Sequence, residues 1–140
     1  MAVHTFDYKH TGYNKSGIPV YHPIIDVMLK NNGKILRYAV LIDSGADFNI
    51  FHADIAPLLD INMADLKEPI EFWGVKKGTR CIGYLAGIQL EIDGTTYNVP
   101  AVFTADMSDN GYAIVGQRGF FDHFKVEFDY SKKKIMLTSK

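Results

Sequence analysis

Asp43-Ser44-Gly45-Ala46 puts a carboxylate, a hydroxyl and a glycine on one tight turn, directly after the apolar run Ala39-Val40-Leu41-Ile42. By average residue usage such a tetrapeptide arises by accident in about one chain in a hundred of this length, so its surroundings decide what it means. A lone carboxylate is an ordinary acid or base. Two held side by side cannot comfortably both ionise, and they share one proton. The ionised member then draws a proton from water while its protonated neighbour gives one to the reacting group, which permits hydrolysis without a metal or a covalent nucleophile. Only one Asp-Ser/Thr-Gly sequence occurs here: Asp93-Gly94-Thr95 lacks the intervening hydroxyl residue, and no other aspartate has the right successors. A pair built from two such turns would need a second copy of the chain, with Asp43 meeting its own counterpart across a two-fold axis.

Such a turn has to be held by strands. Ile24 to Leu29 and Ile35 to Ile42 are rich in branched residues and flank Asn31-Asn32-Gly33, whose Asn-Gly pair suits a turn that needs positive φ. A hairpin thus delivers the motif. Phe48-Asn49-Ile50-Phe51 leaves it and leads to His52-Ala53-Asp54-Ile55-Ala56-Pro57-Leu58-Leu59, a short helix limited by Pro57. Strand pattern returns over Ile70 to Val75, Thr79 to Ile92 and Thr96 to Phe103, with Asp93-Gly94 as a turn, and Asp109-Asn110-Gly111 marks another. A second apolar run ending in glycine, Ala113-Ile114-Val115-Gly116, follows. Met1 to Gly17 is polar, sprinkled with aromatics and without periodicity, and reads as an N-terminal arm, loose or docked on a partner. Residues 18–140 read as one domain, because 140 residues at 47% hydrophobic content can bury a core unaided.

Composition excludes several classes. A formal net charge of −1 with scattered charges forecasts no nucleic-acid partner, and Lys132-Lys133-Lys134 reads as a solvated turn. No run approaches the roughly 18 apolar residues of a membrane-spanning helix. The single cysteine, Cys81, forms no intrachain disulfide, and residues 1–11 lack a basic start followed by an apolar stretch, which together point to a reducing, cytoplasmic setting. Cys81 reads as an inert buried thiol. His4, His10, His22, His52 and His123 show no zinc-site spacing, so neither metal nor cofactor is expected. Asp47 either tunes the neighbouring carboxylate or is a solvated turn residue, and Asp129 reads as facing water.

The Asp-Ser-Gly-Ala turn after a hairpin, the Gly-flanked stretch Phe72-Trp73-Gly74-Val75-Lys76-Lys77-Gly78-Thr79, Ile114-Val115-Gly116, and the strand pair Lys125 to Tyr130 and Lys134 to Leu137 occur in one order. In that order they resemble the retropepsin-like aspartic proteases from about Pro23 to Leu137. The resemblance implies an all-β acid-protease fold: a closed β-barrel with one or two short helices, one of them near Phe120-Phe121-Asp122-His123-Phe124, working as a homodimer. It implies an aspartic endopeptidase in which Asp43 of each subunit forms the catalytic pair. Ser44 would hydrogen-bond across the axis, Gly45 would tolerate the turn, and Ala46 would sit beneath the pair. Trp73, Gly74, Val75, Lys76, Lys77 and Gly78 would form a flap over an extended polypeptide substrate, and Ile42, Val115 and Gly116 would line the site. Many members carry Arg and then Asp or Asn after that glycine, where this chain has Gln117-Arg118. Two other readings stay open: a non-catalytic dimeric module that binds a peptide or protein on the same fold, and a precursor-like state in which the arm through Gly17 fills the cleft.

Overall fold

Alternating burial builds the barrel. In β4 (Ile24–Asn31), Ile25, Val27 and Leu29 face the core while Asp26 is exposed, and in β8 (Arg80–Ile92) Ile88, Leu90 and Ile92 do the same around Gln89 and Glu91. The computed structural model describes residues 2–73, 79–108 and 111–140, so the expected flap tip Gly74 to Gly78 and most of the Asp109-Asn110-Gly111 turn lie outside the described residues. The remaining strands are β1 (Val3–Asp7), β2 (Lys9–Tyr13), β3 (Pro19–His22), β5 (Lys34–Ile42), β6 (Ile50–His52), β7 (Pro69–Trp73), β9 (Thr95–Thr104), β10 (Ala113–Val115), β11 (Phe124–Asp129) and β12 (Lys134–Ser139). Two 3-10 helices, Ala53–Leu59 and Met63–Asp65, lie between β6 and β7.

Seven strands run in the order β4-β5-β10-β6-β9-β8-β7, and β4 also pairs with β8, so six of them close into a ring with β7 appended. The expected all-β closed barrel is what forms. Two type I′-like turns tighten it: Asn32 and Gly33 have φ of 47° and 77°, and Asp93 and Gly94 have 47° and 81°. Positive φ at both central residues matches the right-handed twist of the flanking strands. The ring encloses Leu29, Val40, Phe51, Leu90 and Phe103, while Phe120, Phe124, Ile135 and Leu137 continue the same core to the C-terminal sheet. Each such side chain contributes about 1.5–3 kcal/mol through removal from water.

Two expectations from sequence change here, and the expected short helix after β6 forms as a 3-10 helix. Of the expected arm Met1 to Gly17, residues 2–17 are not aperiodic. β1 pairs with β12 from Val3↔Thr138 to Asp7↔Lys134, and β2 pairs with β3 from Lys9↔His22 to Tyr13↔Pro19, so a single hairpin spans the boundary drawn at Gly17. The mixed polarity of these short strands hid them, and the partner of β1 lies at the far end of the chain. The short helix after β6 is a 3-10 helix: His52 caps it by accepting the Asp54 N–H on Nδ1 at 3.0 Å, and Pro57 sits inside it. Phe120 to Phe124 makes one helical turn, closed by Phe124 N–H to Phe120 O at 3.1 Å, and no helix. β11 begins at Phe124 and ends it.

The sheet β1-β12-β11 packs on the same core through Phe6, Val126, Ile135 and Leu137. Tyr8 packs edge-on against Phe128 and Tyr130, and burial, with the nearby Tyr130 and Asp129, pushes its phenol above the usual range. At the β11–β12 turn the Ser131 hydroxyl and Lys132 N–H hold the Asp129 carboxyl below its usual range. Asp129 therefore makes turn contacts in addition to meeting solvent.

Candidate active site

β5 runs parallel to β10, with Ile42 beside Val115, and Asp43 N–H donates to Val115 O at 3.0 Å just beyond the end of β5. The chain then turns. Ala46 N–H donates to Asp43 O at 3.2 Å, and Gly45 N–H donates to the Asp43 carboxylate Oδ1 at 2.9 Å. A backbone donor thus orients the carboxylate, while Oδ2 has no hydrogen-bond partner among the described residues. This is the arrangement wanted of an acid–base group: held at one oxygen and available at the other.

The turn is clamped from β10. Gln117 N–H donates to Ala46 O at 2.8 Å, Arg118 N–H to Asp47 O at 2.9 Å, and the Gln117 Nε2 to Ser44 O at 2.8 Å. The Arg118 guanidinium lies 5.6 Å from the Phe48 ring centroid. Gln117 and Arg118, which depart from the pattern expected from the resemblance, therefore both brace the Asp43 turn. Gly116 makes the close approach possible, since a Cβ there would lie 2.5 Å from Ala46 O and 2.6 Å from Phe48 O. Beneath sits Asn49, fully buried, accepting Gly116 N–H on Oδ1 at 3.1 Å and donating from Nδ2 to Pro100 O at 3.2 Å. Asn49 ties three barrel strands to the motif. Sequence reading passed over it, because an Asn inside an apolar run carries no motif; its position among residues that must be buried was the available signal.

Asp43, Gly45 and Ala46 open on a cleft of about 820 Å³. It is lined also by Ile70, Phe72 and Trp73 of β7 and Cys81 of β8, and by Ile50, Val102 and Ile114. Trp73 is 67% exposed, so its ring is held at the mouth and not in the core. Cys81 is buried. Of the residues expected to line the site, Ile42 and Val115 point into the core, and strand alternation brings Ile114 to the cleft in their place. Gly116 lies buried behind the turn, and Ser44 is exposed on it without lining the cleft. Asp47, Glu71 and Asp106 join Asp43 around the cleft, Glu71 paired with Arg80. A separate, shallower hollow of about 670 Å³ between Asn31 and Pro100 has no ionisable side chain in its wall.

Asp106 was also missed from sequence. Past the end of β9, its Oδ2 accepts Ile82 N–H at 3.0 Å, while the buried Thr104 hydroxyl donates to Ile82 O at 2.7 Å and accepts Asp106 N–H at 3.0 Å. Two side chains so extend the β8–β9 ladder and fix the cleft wall. Thr104→Val is expected to lower stability by about 1–3 kcal/mol, because it leaves two backbone groups unpaired. Asp106→Ala is expected to speed amide exchange at Ile82, with Asp106→Asn, which keeps an acceptor, restoring slow exchange. Unchanged Ile82 exchange in Asp106→Ala would contradict the assignment.

This is the fold of the retropepsin-like aspartic proteases. A retropepsin-like aspartic protease from Rickettsia conorii superposes over 98% of this chain and 99% of its own, with a TM-score of 0.63 and 14% identity. The EIAV protease in complex with an inhibitor aligns over 76% of this chain and 88% of its own, at 16% identity and a TM-score of 0.47. No protein-family model and no curated protein sequence matches the chain.

Proposed function

We propose that the protein is an aspartic endopeptidase whose working unit is a homodimer, with one Asp43 from each protomer forming the catalytic pair. The observation that carries this is the Asp43 carboxylate, held at one oxygen by Gly45 N–H at the wall of a cleft whose size suits an extended polypeptide. The ionised Asp43 takes a proton from water as the oxygen attacks the scissile carbonyl carbon. The protonated Asp43 of the other protomer gives its proton to the carbonyl oxygen. The tetrahedral intermediate collapses as the C–N bond breaks, the amine nitrogen takes a proton from the pair and one hydroxyl of the intermediate returns a proton to it, leaving a new carboxyl, a new amine and the pair singly protonated again. Apolar groups along the cleft, Ile70, Phe72, Val102 and Ile114, offer contact to alternate substrate side chains. The flap role of Gly74, Val75, Lys76, Lys77 and Gly78 and the cross-axis role of Ser44 belong to this reading.

Counting motifs sets the test. One half-site per chain does not work alone, so specific activity should fall on dilution in step with the dimer fraction. Activity assays and sedimentation run over the same concentration series check this. Full activity from a species that sediments as a monomer would refute the shared pair. A stable dimer that binds peptides and cuts none would establish the non-catalytic module instead.

A further inference from the structure

The β2–β3 hairpin stands outside the barrel as a two-stranded sheet of its own. A lone two-stranded hairpin is marginal in water unless something packs on it. Its base is placed by the catalytic strand: β4 pairs with β5 up to Ile24↔Leu41, and Ile42 N–H donates to Pro23 O at 3.0 Å. The next step of that register sets His22 opposite Asp43. There β5 ends and the chain turns away, while on the other strand Pro23 joins β4 to β3 (Pro19–His22), so the base of the hairpin sits beside the Asp43 turn. A second Asp43 within hydrogen-bonding reach of the first requires the partner's body in that same region.

The hairpin is built for a contact. Its tip is ordered: the Asn14 Oδ1 accepts Ser16 N–H at 2.9 Å and Ile18 N–H at 3.0 Å, and Asn14 N–H donates to Ile18 O at 2.9 Å. On this fixed tip Tyr13 is 67% and Ile18 58% exposed. Residues 9–22 contain Lys9, His10, Lys15 and His22 and no carboxylate, while the cleft carries Asp47, Glu71 and Asp106 beside Asp43. Lys9 is engaged within the chain, 5.2 Å from the Tyr112 ring centroid, which leaves Lys15 at the tip to meet that opposite charge.

We propose that the β2–β3 hairpin is a dimer arm: Tyr13 and Ile18 pack on a second copy of this chain beside the catalytic axis, with Lys15 toward the partner's acidic cleft rim. This rests on the reading of Asp43 as half of a two-subunit pair.

The test uses the full chain and two variants, Tyr13→Ser/Ile18→Ser and Lys15→Glu, each checked for folding by circular dichroism and then followed by sedimentation and peptide turnover. The double variant is expected to raise the dimer Kd at least tenfold and to recover turnover at high protein concentration. Lys15→Glu is expected to raise the Kd at low salt and to approach the unsubstituted chain at high salt, as screened charges do. The same Kd in all three proteins would overturn the proposal. An unchanged Kd with a raised KM would mean that the arm touches substrate, and increased turnover would mean that it blocks the cleft; either overturns it. A parent chain that is active as a monomer would instead overturn the shared Asp43 pair, and the arm with it. Lys15→Glu is a surface change, so it keeps the question answerable if the double variant does not fold.

Discussion

Asp43→Asn is expected to reduce peptide turnover by about 10⁴-fold or more, the scale seen when one member of a cooperating catalytic set is removed. Shape is preserved: Asn keeps an oxygen to accept the Gly45 N–H that now bonds Oδ1 at 2.9 Å. What is lost is the proton that two carboxylates share. The same variant should act on its neighbour, since mixing it in excess with the unsubstituted chain produces dimers with a single carboxylate, and activity should fall as those accumulate. Turnover, circular dichroism and sedimentation on the same samples check this, the last keeping dimer dissociation from imitating a loss of activity. A folded, dimeric Asp43→Asn protein with full turnover would end the mechanism.

Gly116→Ala is expected to cost about 3 kcal/mol or more, at the upper end for overpacking. The added methyl would have to occupy space 2.5 Å from Ala46 O and 2.6 Å from Phe48 O, and both obstacles are backbone. Backbone held in a ladder has nowhere to go, so relief requires parting 46–48 from 116–118. That breaks Gln117 N–H to Ala46 O and Arg118 N–H to Asp47 O and frees the Asp43 turn. Urea unfolding gives the stability loss, and turnover measured well below the unfolding midpoint should also be depressed. Native stability in Gly116→Ala would show that the two strands do not approach as described.

The strands around the motif were legible because local signals agreed. Asn32-Gly33 and Asp93-Gly94 marked turns that need positive φ, and the branched runs beside them alternate as half-buried strands do. The N-terminal strands were not, because Val3–Asp7 and Lys9–Tyr13 are short and mixed in polarity and take their order from β12 and β3. At the site, the turn at Asp43 could be read from the apolar strand that runs into it. Ile114 replaced Val115 at the cleft because a one-residue offset in a strand exchanges its faces, and composition does not fix that offset. Asn49, Thr104 and Asp106 act through backbone groups far along the chain, at Gly116, Pro100 and Ile82. Contacts of that kind have no signature in sequence spacing.

The central claim, peptide hydrolysis by paired Asp43 carboxylates, is tested most directly by mass spectrometry of an unbiased peptide library after incubation with the dimeric protein across acid to neutral pH. The account predicts internal cleavages that yield a new carboxyl and a new amine, that are blocked by a pepstatin-type inhibitor, and that are absent with Asp43→Asn. No cleavage by a sample shown to be dimeric, or cleavages that persist with Asp43→Asn, would contradict it.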